Sequence, residues 1–251
     1  MKDIKELDKQ YVMNTYNRFD LEIVEGIGVN CYDENGKEYL DFGAGIGVNC
    51  LGYCDIGWVS EVAKQACKLS HTSNLYYNEP CALLAEKLCK KTGYSSVFFG
   101  NSGAEANEGA IKLARKYSFD KYGHGRNKII TLVNSFHGRT LATLSATGQD
   151  VFHNYFYPFV EGFDYAIAGD FDDVQQKADE NVCAIMLEFV QGEGGVVALE
   201  REFVTKVAAL CKDKDILFIA DEVKTGIGRT GKLFASENYV IKPNITNLAK
   251  G

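Results

Sequence analysis

A chain of 251 residues that is 46% apolar and 24% charged, with 25 glycines and three prolines, has the composition of an ordinary folded protein and enough length to bury a large core. Its formal charge of −7 argues against a general nucleic-acid or anionic-membrane surface, although local sites on an acidic protein still bind small anions. The N-terminus alternates charges with no apolar stretch, so no secretory leader is expected, and no apolar run approaches the ~18 residues that cross a bilayer, so a cytoplasmic location is expected.

In chain order, residues 1–20 read as a helical or extended arm. Residues 21–42 read as a β-meander whose second turn carries the hairpin dipeptide Asn35-Gly36. Gly43 to Gly52 is a glycine-rich loop. Helices are expected over 58–69, where Val59, Val62, Ala63, Ala66 and Leu69 share a face, and over 81–91. From residue 95 short apolar runs alternate with helical segments. The runs are Ser96–Phe99, Lys128–Val133, Phe163–Ala168, Val182–Phe189, Ile216–Ala220 and Ile245–Ala249, with helices over 103–118, 138–147, 171–180 and 200–213. This pattern predicts an α/β fold, a mostly parallel sheet with helices on both faces and right-handed crossovers. The eight cysteines, at 31, 50, 54, 67, 81, 89, 183 and 211, include no C-x-x-C pair and are expected to be reduced and mostly buried. Cys50 and Cys54 have no histidine or second cysteine pair nearby to complete a metal site, and none is expected.

In such sheets ligands gather beyond the carboxyl ends of the strands, so the residue after each run is where chemistry is sought. After Phe99 comes Gly100-Asn-Ser-Gly-Ala-Glu-Ala-Asn: a capped helix start suited to a phosphate, or a plain strand-to-helix turn. After Val133 comes Asn134-Ser-Phe-His-Gly-Arg-Thr. Phe136 offers a flat face to an aromatic ligand, His137 a group to orient it and Arg139 a fork for a carboxylate; each has a bland alternative as a packed ring, a satisfied core histidine or a surface cation. After Leu187, Glu188 and Glu193 flank a glycine-rich turn. After Ala220, Asp221 ends a buried strand, where a carboxylate needs a partner. Lys250 follows the final run, 29 residues from Asp221, which leaves room for one crossover between two neighbouring strands.

Taken in order, Phe99-Gly-Asn-Ser-Gly-Ala-Glu-Ala-Asn-Glu, Ser135-Phe-His-Gly-Arg-Thr, Val190-Gln-Gly-Glu-Gly-Gly, Asp221-Glu-Val-Lys-Thr-Gly-Ile-Gly-Arg-Thr-Gly and Leu248-Ala-Lys-Gly resemble the class III pyridoxal-phosphate-dependent aminotransferases. The resemblance runs from about Tyr16 to Gly251. His71-Thr-Ser-Asn-Leu-Tyr-Tyr-Asn-Glu-Pro is similar to the acetylornithine aminotransferase subgroup. It implies fold type I of the pyridoxal-phosphate enzymes, with residues 1–57 as an arm and meander belonging to a small domain and 58–251 as the large cofactor-binding domain. It implies that Lys250 forms the Schiff base with the cofactor and then serves as acid and base. Asp221 pairs with the pyridinium nitrogen. Ser102, Gly103 and Ala104 cradle the phosphate, Phe136 stacks on the ring beside His137, and Glu222, Val223 and Lys224 complete the cofactor contacts. Arg139 binds the substrate α-carboxylate, Tyr16 reaches the substrate pocket, and Glu193 switches between substrates by pairing with an arginine further along.

The implied reaction moves the 5-amino group of N-acetylornithine to 2-oxoglutarate in a homodimer. Alternatives are another ω-aminotransferase, for ornithine, succinylornithine or 4-aminobutyrate, or a fragment that binds the cofactor without turnover. Lys224 stands where the family usually has glutamine, next to the cofactor's phenolic oxygen, and its charge is expected to lower the pKa of the imine. Gly109 replaces a helical alanine, Phe189 a proline, and Tyr53, Asp55 and Ile56 a His-x-His-Pro pattern. Family chains continue past this lysine into a C-terminal small domain, so the chain is expected to be truncated and its sheet to expose an apolar edge.

Overall fold

Between Lys128 and Asn247 five short apolar runs line up as one parallel sheet, in the computed structural model that describes residues 3–250. The chain divides into two compact units, Met1–Ala82 and Leu83–Gly251, and the expected division at residue 57 falls inside the first.

In the first unit, helix α1 (Ile4–Tyr11) is capped by Asp3, whose side chain accepts from the Lys5 and Glu6 amides. Strands β1 (Ile23–Ile27), β2 (Asn30–Asp33) and β3 (Glu38–Leu40) form the expected antiparallel meander. Its tight turn is held by buried Asp33, which accepts from the Asn35 and Lys37 amides and from Tyr39 Oη. The glycine-rich loop contains α2 (Ala44–Gly47), a single left-handed turn in which Gly45 and Ile46 have φ of 61° and 58°. Asp55, one of the departures from the family pattern, caps α3 (Ile56–Lys68) by accepting from the Trp58 amide. Tyr53, another, donates from its hydroxyl to Asp41 at 2.7 Å.

Helix α4 (Glu79–Thr92) crosses the division between the units. The second unit then runs through α5 (Gly103–Tyr122), β4 (Lys128–Leu132), α6 (Leu141–Ala146), β5 (Phe163–Ala166), α7 (Phe171–Lys177), β6 (Val182–Leu187), a small hairpin of β7 (Val190–Gln191) and β8 (Val197–Ala198), α8 (Arg201–Asp213), β9 (Leu217–Asp221), α9 (Ser236–Tyr239) and β10 (Ile245–Asn247). The large sheet has the order β10-β9-β6-β4-β5, with all four pairings parallel.

Side chains alternate across it, and both faces are apolar because helices cover both. Ile130, Leu132, Ile185, Leu187, Phe218 and Ala220 join the core under α7 and α8. Ile129, Cys183, Met186 and Ile219 join the core under α5, with Ala110, Ile111 and Ala114 of that helix. A register shift between Lys128 and Ile129, which pair with Val182 and Ala184, marks an irregularity opposite Cys183. Gly109 makes room for a neighbour: a Cβ there would lie 3.1 Å from the Phe98 ring. Phe189 is fully buried and stacks on Tyr239 with centroids 4.8 Å apart.

Two expectations are corrected. Ser96–Phe99 is not a strand. Backbone of that kind needs a neighbour to take its hydrogen bonds, and among the described residues none pairs with it; Phe98 is 75% exposed. The cysteines are not mostly buried: Cys31, Cys183 and Cys211 are, whereas Cys50, Cys54, Cys67 and Cys81 are exposed and Cys89 is intermediate, and all eight are free thiols.

Ile185, fully buried on the central strand, tests this packing. Ile185→Ala is expected to lower the unfolding free energy by about 2–5 kcal/mol in urea denaturation, since the sheet between two helical layers cannot collapse into the cavity.

Candidate active site

The carboxyl ends of β4, β6, β9 and β10 lie along one edge of the parallel sheet, and the loops that leave them carry nearly all the candidate residues. The register brings Asn247 of β10 opposite Asp221 of β9. The Glu222 amide donates to Asn247 O at 3.0 Å, so the segment that ends in Lys250 leaves the sheet beside the aspartate. Tyr94 braces this strand: its hydroxyl bonds Pro243 O at 2.9 Å and lies 2.6 Å from Thr246 Oγ1.

Asp221 is 4% exposed and fully engaged. Its Oδ1 accepts from the Val223 amide at 3.0 Å. Its Oδ2 accepts from Asn107 Nδ2 at 2.7 Å and faces His137 Nδ1 at 2.8 Å, which makes that nitrogen the protonated one. Asn107 Nδ2 also donates to His137 O, and Asn107 Oδ1 accepts from Asn247 Nδ2, each at 2.7 Å. The His137 amide is held by Thr147 Oγ1 at 3.0 Å. The other ring nitrogen, Nε2, is buried and has no hydrogen-bond partner among the described residues. Burial opposes charge on His137, but the hydrogen bond and charge of Asp221, with the charge of Glu188, outweigh it and raise the imidazole above its ordinary range.

Helix α5 opens the opposite wall. Ser102 Oγ accepts from the Glu105 amide at 3.1 Å while the Glu105 carboxylate accepts from the Asn101 amide, a reciprocal cap. The cap uses the third helical amide and leaves the first two: Gly103 and Ala104 N–H have no acceptor among the described residues. Two free donors at the positive end of a 20-residue helix suit an anion. Gly103 is required there by contact, because a Cβ would lie 2.7 Å from Val223 Cγ1 and 3.5 Å from Ala249 Cβ. The same contacts show that the helix start, the residues after Asp221 and the residue before Lys250 meet.

Phe136 is half-buried, with its ring against Phe152 at 5.5 Å, and its amide donates to Glu188 Oε2 at 2.9 Å. Arg139 is exposed, with its guanidinium 5.9 Å from the Phe136 and Phe152 rings. Lys224 Nζ pairs with Glu193 Oε1 at 3.0 Å. Gly192 makes the approach possible: a Cβ there would lie 2.3 Å from Lys224 Cδ. Glu222 is the next residue after Asp221. Its fully buried carboxylate accepts from Thr225 Oγ1 and the Ala235 amide on one oxygen and from the Ser236 amide on the other, which ties the 225–236 loop to the end of β9. Tyr16 belongs to the first unit, after α1.

Two residues here were not singled out by sequence reasoning: Asn107 and Asn247. An asparagine on the apolar face of α5 is the one signal that was available. Glu188 is 5% exposed. Burial pushes its carboxyl up to about 7, with His137 opposing the shift and Asp221 adding to it. A carboxyl raised in the fold favours its protonated form, so its contribution to stability is present below the ordinary value of 4.5 and lost as pH climbs through about 7. The raised histidine acts in the same direction. Stability is therefore expected to fall by roughly 2 kcal/mol between about pH 5 and about pH 8, and Glu188→Gln, which stays neutral, is expected to flatten that slope in thermal melts.

The family model "Aminotransferase class-III" matches residues 11–251. The chain is 55% identical over 249 residues to the acetylornithine aminotransferase of Haemophilus ducreyi, covering 99% of this chain and 63% of that one. It is 52% identical over 244 residues to that of Caldanaerobacter subterraneus, covering 97% and 62%. Among solved structures it is similar to N-acetylornithine aminotransferase from Stenotrophomonas maltophilia, with a TM-score of 0.83 at 36% identity, covering 98% of this chain and 60% of that one. It is also similar to ornithine aminotransferase from Toxoplasma gondii, in which pyridoxal phosphate partially occupies the active site, with a TM-score of 0.94 at 32% identity, covering 98% and 59%. The chain thus spans about three fifths of the length of the relatives it matches. Its fold is that of the aminotransferases with a mostly parallel central sheet, and the chain belongs to the class III aminotransferase family.

Proposed function

We propose that this chain carries the pyridoxal-phosphate site of an aminotransferase that moves the 5-amino group of N-acetylornithine to 2-oxoglutarate. The observation that supports it most is the meeting of Asp221, His137, the start of α5 and the Lys250 segment at one edge of the sheet. Residues 58–251 are read as the cofactor domain and 1–57 as part of a small domain, in a cytoplasmic homodimer.

The residues fit the cofactor on two counts. The helix start offers two unpaired amides, and His137 Nε2 is a buried polar atom without a partner among the described residues. When bound, pyridoxal phosphate supplies an electron sink for charge that develops at the substrate carbon. Gly103 and Ala104 N–H, with Ser102, would hold its phosphate. Asp221, braced by Asn107 and His137, would hold the proton on its ring nitrogen. Phe136 would cover one face and Val223 the other. Lys250 would anchor the aldehyde carbon and, once released, move the proton to and from the substrate carbon.

Arg139 would hold the substrate carboxylate, for which its planar fork is suited. Lys224 would bond the phenolic oxygen with a charge already shared with Glu193. Glu193 would switch between the two substrates by pairing with an arginine further along, as the family resemblance implies. Tyr16 would reach the substrate. The acetylornithine reading is supported over ornithine by curated relatives of that name at up to 55% identity, and among solved structures by 36% identity to the Stenotrophomonas maltophilia N-acetylornithine enzyme against 32% to the Toxoplasma gondii ornithine enzyme.

Purified protein mixed with pyridoxal phosphate is expected to show a new visible absorbance band that survives gel filtration and is absent from Lys250→Ala. Folded wild-type protein without that band would overturn the proposal. Rates with N-acetylornithine, ornithine and 4-aminobutyrate, each with 2-oxoglutarate, are expected to be highest for the first.

A further inference from the structure

Asn107 stands one turn into α5, is 1% exposed, and is the only one of the described residues whose side chain is hydrogen-bonded at once to Asp221, to the His137 backbone and to β10. Each contact is 2.7 Å. The chemistry of those contacts is selective. One end of the side chain must donate twice, to a carboxylate oxygen and a carbonyl oxygen, and the other must accept once, from the Asn247 amide. A carboxamide of this length does all three. Aspartate would turn an oxygen toward Asp221 Oδ2 and His137 O. Leucine, of similar size, would leave His137 O and Asn247 Nδ2 buried without partners, which is costly. Glutamine would need room for another methylene where almost no surface is free.

Three separate parts of the sheet edge are thereby joined through one side chain. Asp221 ends β9, His137 lies in the loop after β4, and Asn247 ends β10 three residues before Lys250. We propose that Asn107 is a positioning residue that sets the Asp221 carboxylate in register with the strand leading to Lys250 and keeps that carboxylate unprotonated, a hydrogen-bond acceptor for the protonated ring nitrogen of the cofactor. The inference rests on the reading in which Asp221 faces that nitrogen. With Asn107 in place, one oxygen of Asp221 is shared by two donors and the negative charge is spread over the cluster. Without it Asp221 competes better for the proton that it would otherwise leave on the ring.

The test uses pyridoxal phosphate labelled with 15N in the ring, bound to the purified chain, with the nitrogen chemical shift as readout. Wild type is expected to give the signal of a protonated ring. Asn107→Leu is expected to move the signal toward neutral pyridine and to weaken cofactor binding roughly tenfold, the effect of one charge-assisted hydrogen bond. Ile111→Ala, a cavity variant on the same helix at 1% exposure, controls for lost stability and is expected to lower the melting temperature without moving the signal. Should Asn107→Leu fail to fold, Asn247→Ala loosens the same amide from the other side and is expected to move the signal in the same direction by less. If wild type binds and shows a protonated ring while the variant that folds leaves the shift at the wild-type value, the role of Asn107 is overturned. If wild type does not bind the cofactor, or binds it with an unprotonated ring, it is the underlying reading that fails.

Discussion

A carboxylate at the end of a buried strand is the constraint around which the second unit is organised. Removing Asp221 from water costs several kcal/mol unless donors replace the solvent. Here they do: a backbone amide from its own loop, a carboxamide from α5 and an imidazole from the loop after β4. Each donor comes from a different layer of the fold, so satisfying one charge fixes the mutual placement of a helix, a loop and two strands. The sheet edge is precise because the alternative is an unpaired buried ion.

The same logic governs the neighbouring acids, with different outcomes. Glu222, the next residue along, is equally buried but receives only backbone and threonine donors from the 225–236 loop, and it functions as a clasp. Glu188 receives backbone amides from Phe136 and, at 3.4 Å, Gly192, and lies near a second acid, so burial leaves it poised near neutrality. Glu193 is partly exposed and is content with a lysine. Four acids within one rim thus differ in burial and donor count: Asp221 and Glu222 are fully provided with donors, Glu188 has backbone amides alone, and Glu193 has one lysine.

Much of this was readable from the chain alone. Apolar runs bounded by glycine and polar turns located β4, β5, β6, β9 and β10, and the strand-end rule pointed to the segments where Asp221, His137 and Lys250 lie. The 29-residue spacing of Asp221 and Lys250 anticipated neighbouring strands, and their registers meet. What was hidden is non-local. Ser96–Phe99 has the composition of a strand, but a strand exists only with a partner, and partners are not written in a segment's own residues. Asn107 looks like one more polar residue on a helix until three distant groups are seen to converge on it. Glu222 and Lys224 were assigned by their place in a motif, whereas their side-chain partners are set by loops 10 or more residues away in sequence, at Ala235 and Glu193.

The strand order β10-β9-β6-β4-β5 has a consequence for assembly. Once β4 and β5 pair, every later strand of this sheet adds to the same growing side: β6 on β4, β9 on β6, β10 on β9. A chain emerging from the ribosome can therefore extend this sheet in the order of synthesis, with no strand inserted between two others. The lysine arrives on the last of the five. Until it does, the nascent sheet displays Asp221 and Asn107 beside a bare edge, a surface able to pair with another strand. The frame that holds Asp221, His137 and Asn107 is thus laid down before the segment that ends in Lys250.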